Sequence, residues 1–427
     1  PSALGAGNLA LTAGTLELAN DTGLNFARNT TVSGGATIKS DTLTAVPGAT
    51  HTLGTLAIGA HTLSLAYGAN VASGTAGVTF GTTTLSGAAT LDTAANTAFT
   101  LAAVGETGSA RSLTKQGAGS LTFTGSNSFT GGFTLATTGT LQILGTQFSN
   151  NFGASPGGLT ALGGTIRWAS GATTDITSGG AAIAGGISLF GTTIFDTNSN
   201  NVELAGSIGN YATTNGSLTG VGGGITKAGL GTLTLSGANT FLGNSTVTGG
   251  TLVLKNSNAL AFSSLQLTPL FNANSTVVFD SSVASKVFTV GGLNGNINIA
   301  LQDNAGTPNA ITLRVGNGAQ SSTYGATLSG PGSLVKLGSG VFNLNAYQQT
   351  YAGSTTIQTG SAGVTTGQAD RISTLQLTFG TTATPAIPNT SFTTVANSTN
   401  ILPSSTTLNF GGGFGLLTGG TTTTTTS

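Results

Sequence analysis

Catalysis needs carboxylates, imidazoles or thiols at workable spacing, and this chain is poor in all three. Its 11 acidic residues are Glu17, Asp21, Asp41, Asp92, Glu106, Asp175, Asp196, Glu203, Asp280, Asp303 and Asp370. Only Glu17/Asp21 and Asp196/Glu203 fall within seven positions of each other. Glycoside hydrolysis asks for two carboxyl groups roughly 5 to 9.5 Å apart, so only the stacking of distant segments would supply such a pair. The histidines sit in matching phrases, Thr50-His51-Thr52-Leu53 and Ala60-His61-Thr62-Leu63. Neither has an acid or a second His at ligand spacing, so both are expected on solvent-facing strand positions. Cys is absent, which removes disulfides, thiolate zinc sites and thiol nucleophiles. Serine is abundant, but no G-x-S-x-G elbow precedes a helix. Gly117-Ala118-Gly119 and Gly229-Leu230-Gly231 lack the later Gly, the Lys-Ser/Thr pair and the helix of a phosphate loop, and read as turns. No G-G-x-G-x-D calcium nonapeptide occurs either. The sequence therefore assigns no catalytic, cofactor-binding or metal residue, implies no cofactor, and reads as a protein that is not an enzyme.

Composition bounds what remains. Only 5% of the 427 residues are charged, and 11 basic residues balance 11 acidic ones, against roughly 25% charged residues in an average globular domain. A neutral, hydroxyl-rich surface offers no electrostatic footing for nucleic acid or an anionic membrane. No apolar run reaches the ~18 to 20 residues of a spanning helix, so direct membrane insertion is not expected. Met is absent and the first residue is Pro1, which reads as a processed, exported chain.

The elements that must carry these residues are strands. In Gly231-Thr232-Leu233-Thr234-Leu235-Ser236-Gly237, apolar side chains take every second place between glycines. Leu233 and Leu235 then share one face, with Thr232, Thr234 and Ser236 on the other. The phrase returns at Leu9/Leu11, Leu16/Leu18, Leu121/Phe123, Leu141/Ile143, Ile166/Trp168, Leu252/Leu254, Phe342/Leu344 and Leu375/Leu377. The β-branch of Thr suits a pleated surface, while Gly and Asn supply tight turns. Such phrases recur without the long connections of a Greek key, which predicts an all-β right-handed parallel β-helix, a β-solenoid, of ~20 to 24 residues per coil and about 18 to 20 coils. Over a stack of that kind, no coil-period spacing gathers acids with Lys and Arg as a polysaccharide-active site would require.

A longer repeat is laid over the short one. Leu113 to Gly131 returns as Ile225 to Gly243, and a worn third copy begins at Leu334 and reaches its aromatic, Tyr351, with one residue inserted. The predicted organisation is a single continuous β-helix over 1–420, in four units of about 110 residues (1–112, 113–224, 225–333, 334–420), followed by a Thr-rich tail at 421–427. Lys115, Lys227 and Lys336 hold the same place in each copy. One reading makes each a solvated Lys that blunts a strand edge. The other lays each ammonium over the ring of Phe129, Phe241 or Tyr351 as a cation–π pair.

The phrase K-x-G-x-G-x-L-T-[LF]-[ST]-G-x-N-x-F, followed by a G-T-L-x-[LI] strand, resembles the autotransporter-associated β-strand repeat of bacterial passenger domains. The matches run from Lys115 to Phe129 with Gly139 to Ile143, and from Lys227 to Phe241 with Gly250 to Leu254. From Lys336 to Tyr351 the pattern departs, since Asn345-Ala346-Tyr347 replaces the S/T-G-x-N step. Pro1 to Leu18 resembles the stretch that follows such a repeat. The resemblance implies a β-helix outside the cell, exported through a Gram-negative-type envelope, and the lack of Cys agrees with threading.

Three functions compete on these grounds. The first is a non-enzymatic structural building block of a surface filament, sheath or surface layer, self-associating head-to-tail through open coil ends. The alternative is a cleaved autotransporter passenger acting as an adhesin toward glycans or neighbouring cell surfaces. A polysaccharide-active enzyme ranks third. The irregular segments at about 144–163, 196–222 and 361–405 are short and polar, where an adhesin or enzyme would carry longer functional loops; this places structure first.

Overall fold

The computed structural model describes residues 4–145, 158–179, 182–210, 222–267, 276–317, 321–338, 340–344, 349–357, 362–364, 377–379, 414–418 and 421–425. Much of the three irregular segments, and all of Asn345-Ala346-Tyr347, lies outside them. The ordered elements among the described residues are strands, with no α-helix. Two compact units are present, Pro1–Gly231 and Thr232–Ser427.

In the first unit each coil gives one strand to each of up to three parallel sheets. Thr83–Leu85, Ala89–Thr93 and Thr97–Leu101 make one such coil, and Val104–Glu106, Leu113–Gln116 and Ser120–Phe123 the next. The longest sheet stacks nine strands, from Thr15–Ala19 to Ile208–Asn210. In the second unit Thr232–Leu235, Thr251–Leu254 and Thr276–Phe279 stack in parallel, and so do Leu260–Leu267, Val287–Gly295 and Thr312–Val315. The predicted β-solenoid is the observed fold. Its coils are more uneven than the sequence suggested. Thr232 pairs with Thr251, 19 positions on, whereas Thr62 pairs with Thr90, 28 positions on. Outlying strands account for part of the excess, since Val46–Pro47 and Val71–Ser73 pair outside the three main sheets. Longer coils make fewer of them, and nine rungs fill the first unit's longest sheet. Thr421–Thr425 pairs antiparallel with Phe414–Thr418, in a two-stranded sheet of its own.

The core follows from the period of two. Leu233, Leu235, Leu252 and Leu254 are all buried, and strand register stacks Leu235 on Leu254 and Leu254 on Phe279. Outward positions form hydroxyl rows: Thr90, Thr114, Thr134, Thr160 and Ser188 occupy successive coils in register. Burying these apolar rows between coils contributes roughly 1.5 to 3 kcal/mol per large side chain, which is what lets a chain so poor in charge stack its strands.

Candidate functional site

The repeated lysines point into the core. Lys115 and Lys227 are 0% exposed and Lys336 is 2% exposed, which overturns the solvated-edge reading. Strand parity is the cause. Lys115 stands two residues after Leu113, Lys227 two after Ile225, and Lys336 two after Leu334, so each shares its strand's inward face. Each ammonium then folds over the turn that follows. Lys115 Nζ donates to the carbonyl oxygens of Gln116 (2.6 Å) and Gly117 (2.9 Å), and Lys227 Nζ to those of Ala228 and Gly229, both at 2.8 Å. Lys336 Nζ donates to Leu337 O and, at 2.8 Å, to Gly338 O. For Lys115 and Lys336 the ammonium's partners are main-chain oxygens, and the cation–π pairing with Phe129 and Tyr351 is not adopted.

The turn that receives the ammonium is a close approach only glycine allows. Gly117 has φ 77° and Gly229 has φ 76°, in the left-handed region where a Cβ is strained. A Cβ on Gly117 would lie 2.4 Å from Asp92 Oδ1, and one on Gly229 2.6 Å from Asp196 Oδ1. The carboxylate of the preceding coil thus packs on the turn, one residue past the position that pairs with the lysine. In the third copy that position is Gly316, after Val315, the partner of Lys336.

Burial pushes the Lys115 ammonium down to about 8, against the opposing pull of Asp92, and Lys227 down to about 8 against Asp196. Lys336 is also brought to about 8, by burial alone. The ordinary value is 10.5, so between about pH 8 and 10.5 the unfolded chain holds more protons than the folded one. Stability then rises with pH across that window. Burial pushes the Tyr324 phenol up, so that group stays neutral there. The expected result is a higher melting temperature at pH 10 than at pH 8, with the gain reduced in a Lys115→Met/Lys227→Met chain. A melting temperature that falls equally in both proteins would contradict it.

The Asn and the aromatic of the repeat are internal as well. Val104 N donates to Asn127 Oδ1 at 3.0 Å, and Ser128 N donates to Val104 O at 2.8 Å. Asn127 thereby takes the place of a further strand beside Val104–Glu106, the last strand of its sheet. Asn239 Nδ2 donates to Ala259 O at 2.9 Å. The third copy reproduces the first with a longer side chain: Leu328 N donates to Gln349 Oε1 at 2.8 Å, and Thr350 N donates to Leu328 O at 2.8 Å. Gln349 also donates from Nε2 to Ala326 O at 3.0 Å. The sequence comparison missed Gln349, and the signal was its place two residues before Tyr351, as Asn127 stands two before Phe129. Phe129 and Phe241 are buried, and Tyr351 pairs through its hydroxyl with Thr355 Oγ1.

His51 departs from the expectation too. It is 0% exposed, because Ala49, His51 and Leu53 alternate onto the inward face. Its Nε2 lies 3.0 Å from Asp41 O, and its ring meets Phe26 edge-on at 5.8 Å between centroids. His61 is half-buried. Among the described residues no group of three or more His, Cys, Asp or Glu is placed to hold a metal. Several acids cap main-chain turns instead. Asp21 accepts from Leu43 N and Thr44 N, and Asp175 from Thr177 N and Ala205 N; hydrogen bonds, foremost that from Thr44 N for Asp21, hold both carboxyls below the usual range.

A parallel solenoid whose periodic Lys, Asn and aromatic all turn inward to fasten coil corners defines a repeat-stapled β-solenoid. Residues 113–143, 225–254 and 334–361 match the Passenger-associated-transport-repeat family. It is also similar to the Adhesin BmaC autotransporter of Brucella suis biovar 1 (strain 1330), 32% identical over 270 residues. That alignment covers 59% of this chain and 7% of the relative's length. No solved structure matches the chain.

Proposed function

We propose that this chain is a section of an autotransporter passenger, displayed at the surface of a Gram-negative bacterium, and that it works there as a non-enzymatic adhesin. The similarity to an adhesin autotransporter carries this reading. The inward repeat supports it: Lys115, Asn127 and Phe129 spend their chemistry on coil corners, which leaves the hydroxyl rows for contact. Joined to a translocating barrel and shown by antibody to reach the surface of a non-adherent host, the chain is expected to raise attachment to target cells several-fold. Verified display with unchanged attachment would overturn the reading.

A second reading, the self-associating building block, draws on the scarcity of charge, since 11 basic and 11 acidic residues leave little repulsion between copies. Sedimentation at micromolar concentration separates the two. Concentration-dependent polymers that a Lys at Leu9 or Leu11 blocks favour the building block, and a single monomer species favours the displayed adhesin.

A further inference from the structure

Within the second unit the coil stack opens beside Thr276–Phe279. Thr276–Phe279 is the last strand of its sheet, and the next coil's Ile299–Ala300 belongs to another. Across the gap Phe279 pairs with Asp303, and Asn304 N donates to Phe279 O at 3.1 Å. Between the separated edges lies a groove of about 230 Å³. Its lining includes the half-buried Val277, Val278 and Ile297, with Asn298, Gln302 and Asn304 among the polar members.

The carboxamide donors of this lining are unspent. Thr327 N donates to Asn298 Oδ1 at 3.0 Å, and Ser281 N to Asn304 Oδ1 at 2.7 Å. Those bonds fix which end of each carboxamide is oxygen, and among the described residues neither NH2 group has a partner. The Gln302 carboxamide likewise has none. Asp303, which also lines the groove, is fully engaged. Lys286 Nζ reaches its Oδ2 at 2.6 Å, Asn309 Nδ2 reaches the same oxygen at 2.9 Å, and Asn309 N reaches Oδ1 at 2.8 Å. The groove therefore offers free amide donors, the Gln302 acceptor and apolar side chains, with its one carboxylate neutralised.

We propose that this groove is a binding site for one sugar ring of a neutral glycan, a proposal that rests on the adhesin reading above. Carboxamides pair with vicinal hydroxyls, which donate and accept at once, and the C–H face of a pyranose suits Ile297 together with the one valine of Val277 and Val278 that the pleat turns into the groove. A neutralised groove gives an anionic glycan no advantage. The volume lies below the roughly 300 to 1,000 Å³ of a drug-sized site, which limits the occupant to a single ring of a longer chain. An extended peptide would have to run along the strand edge, and the Phe279–Asp303 bridge leaves it only the short stretch from Thr276 to Val278.

The test applies the purified chain to an array of immobilised neutral oligosaccharides, then follows its side-chain amides by NMR as a retained saccharide is added. Asn298→Asp and Asn304→Asp keep the acceptor oxygen for Thr327 N and Ser281 N and remove the donor; Gln302→Glu, which carries no framework bond, guards against a folding defect in the other two. The expected result is retention on a subset of glycans, shifted Asn298 and Asn304 amide signals, and at least tenfold weaker retention of each variant at unchanged melting temperature. Absence of retention, equal retention by Gln302→Glu, or perturbation of the Val277 amide by a Val/Thr-rich peptide instead would overturn the proposal. Attachment of displayed cells keeps the two readings apart. Full attachment by the Asn298→Asp/Asn304→Asp chain removes the groove and leaves the adhesin, whereas glycan retention without attachment removes the adhesin and leaves the groove.

Discussion

Leu235→Asp is expected to melt its own coil and the one stacked on it. Leu235 is buried against Leu254 and, through it, Phe279, and no donor among these residues faces a new carboxylate. Leaving that group unpaired in the apolar row costs about 3 to 5 kcal/mol. Each ~1.4 kcal/mol is a factor of ten, so local opening grows by roughly two to three orders of magnitude. Because coils contact mainly their neighbours, the damage stays local. Hydrogen exchange of the amides in Thr232–Leu235 and Thr251–Leu254 is the measurement, with Thr312–Val315 as the internal reference. Exchange rates that match the unsubstituted chain would show that the row is not the core it is described to be.

Lys115→Ala is expected to release the turn at Gly117-Ala118-Gly119. Two carbonyl oxygens, those of Gln116 and Gly117, lose their donor, and the apolar stem of a fully buried side chain is removed with it. The orphaned acceptors and the cavity together cost about 3 kcal/mol. Lys115→Met keeps the stem's volume and sheds a buried charge, so it should cost only about half as much. Paired melting curves, with exchange at residues 116–119, read the order Ala worse than Met. No effect of either variant would mean the ammonium contributes nothing at the corner, and the reverse order would mean the same of the stem. Lys336 provides an internal comparison: Gly316 stands where the other copies have Asp92 and Asp196, so no carboxylate offsets burial of its charge.

The relation between sequence and structure is clearest at these same residues. Alternation of Leu with Thr dictates strands, because a pleat sends successive side chains to opposite faces. The 112-residue offset between Lys115 and Lys227 dictates a repeat, because like sequences fold alike. Fold class, repeat borders and the burial of Leu233, Leu235, Leu252 and Leu254 were thus determined by residues acting locally. The direction of Lys115 was also encoded, two residues after Leu113, but the usual cost of burying charge argued against it. Only the coil corner, which brings two carbonyl oxygens under the ammonium, removes that objection. His51 entered the core in the same way, by parity with Ala49 and Leu53. For Gln349 as the stand-in for Asn127 the sequence held only the spacing to Tyr351, while its bonds and the open groove beside Val277 belong to tertiary structure. Both depend on which main-chain groups of one coil face the next, and that register is set by coil lengths running from 19 to 32 residues, which no local pattern in the sequence specifies.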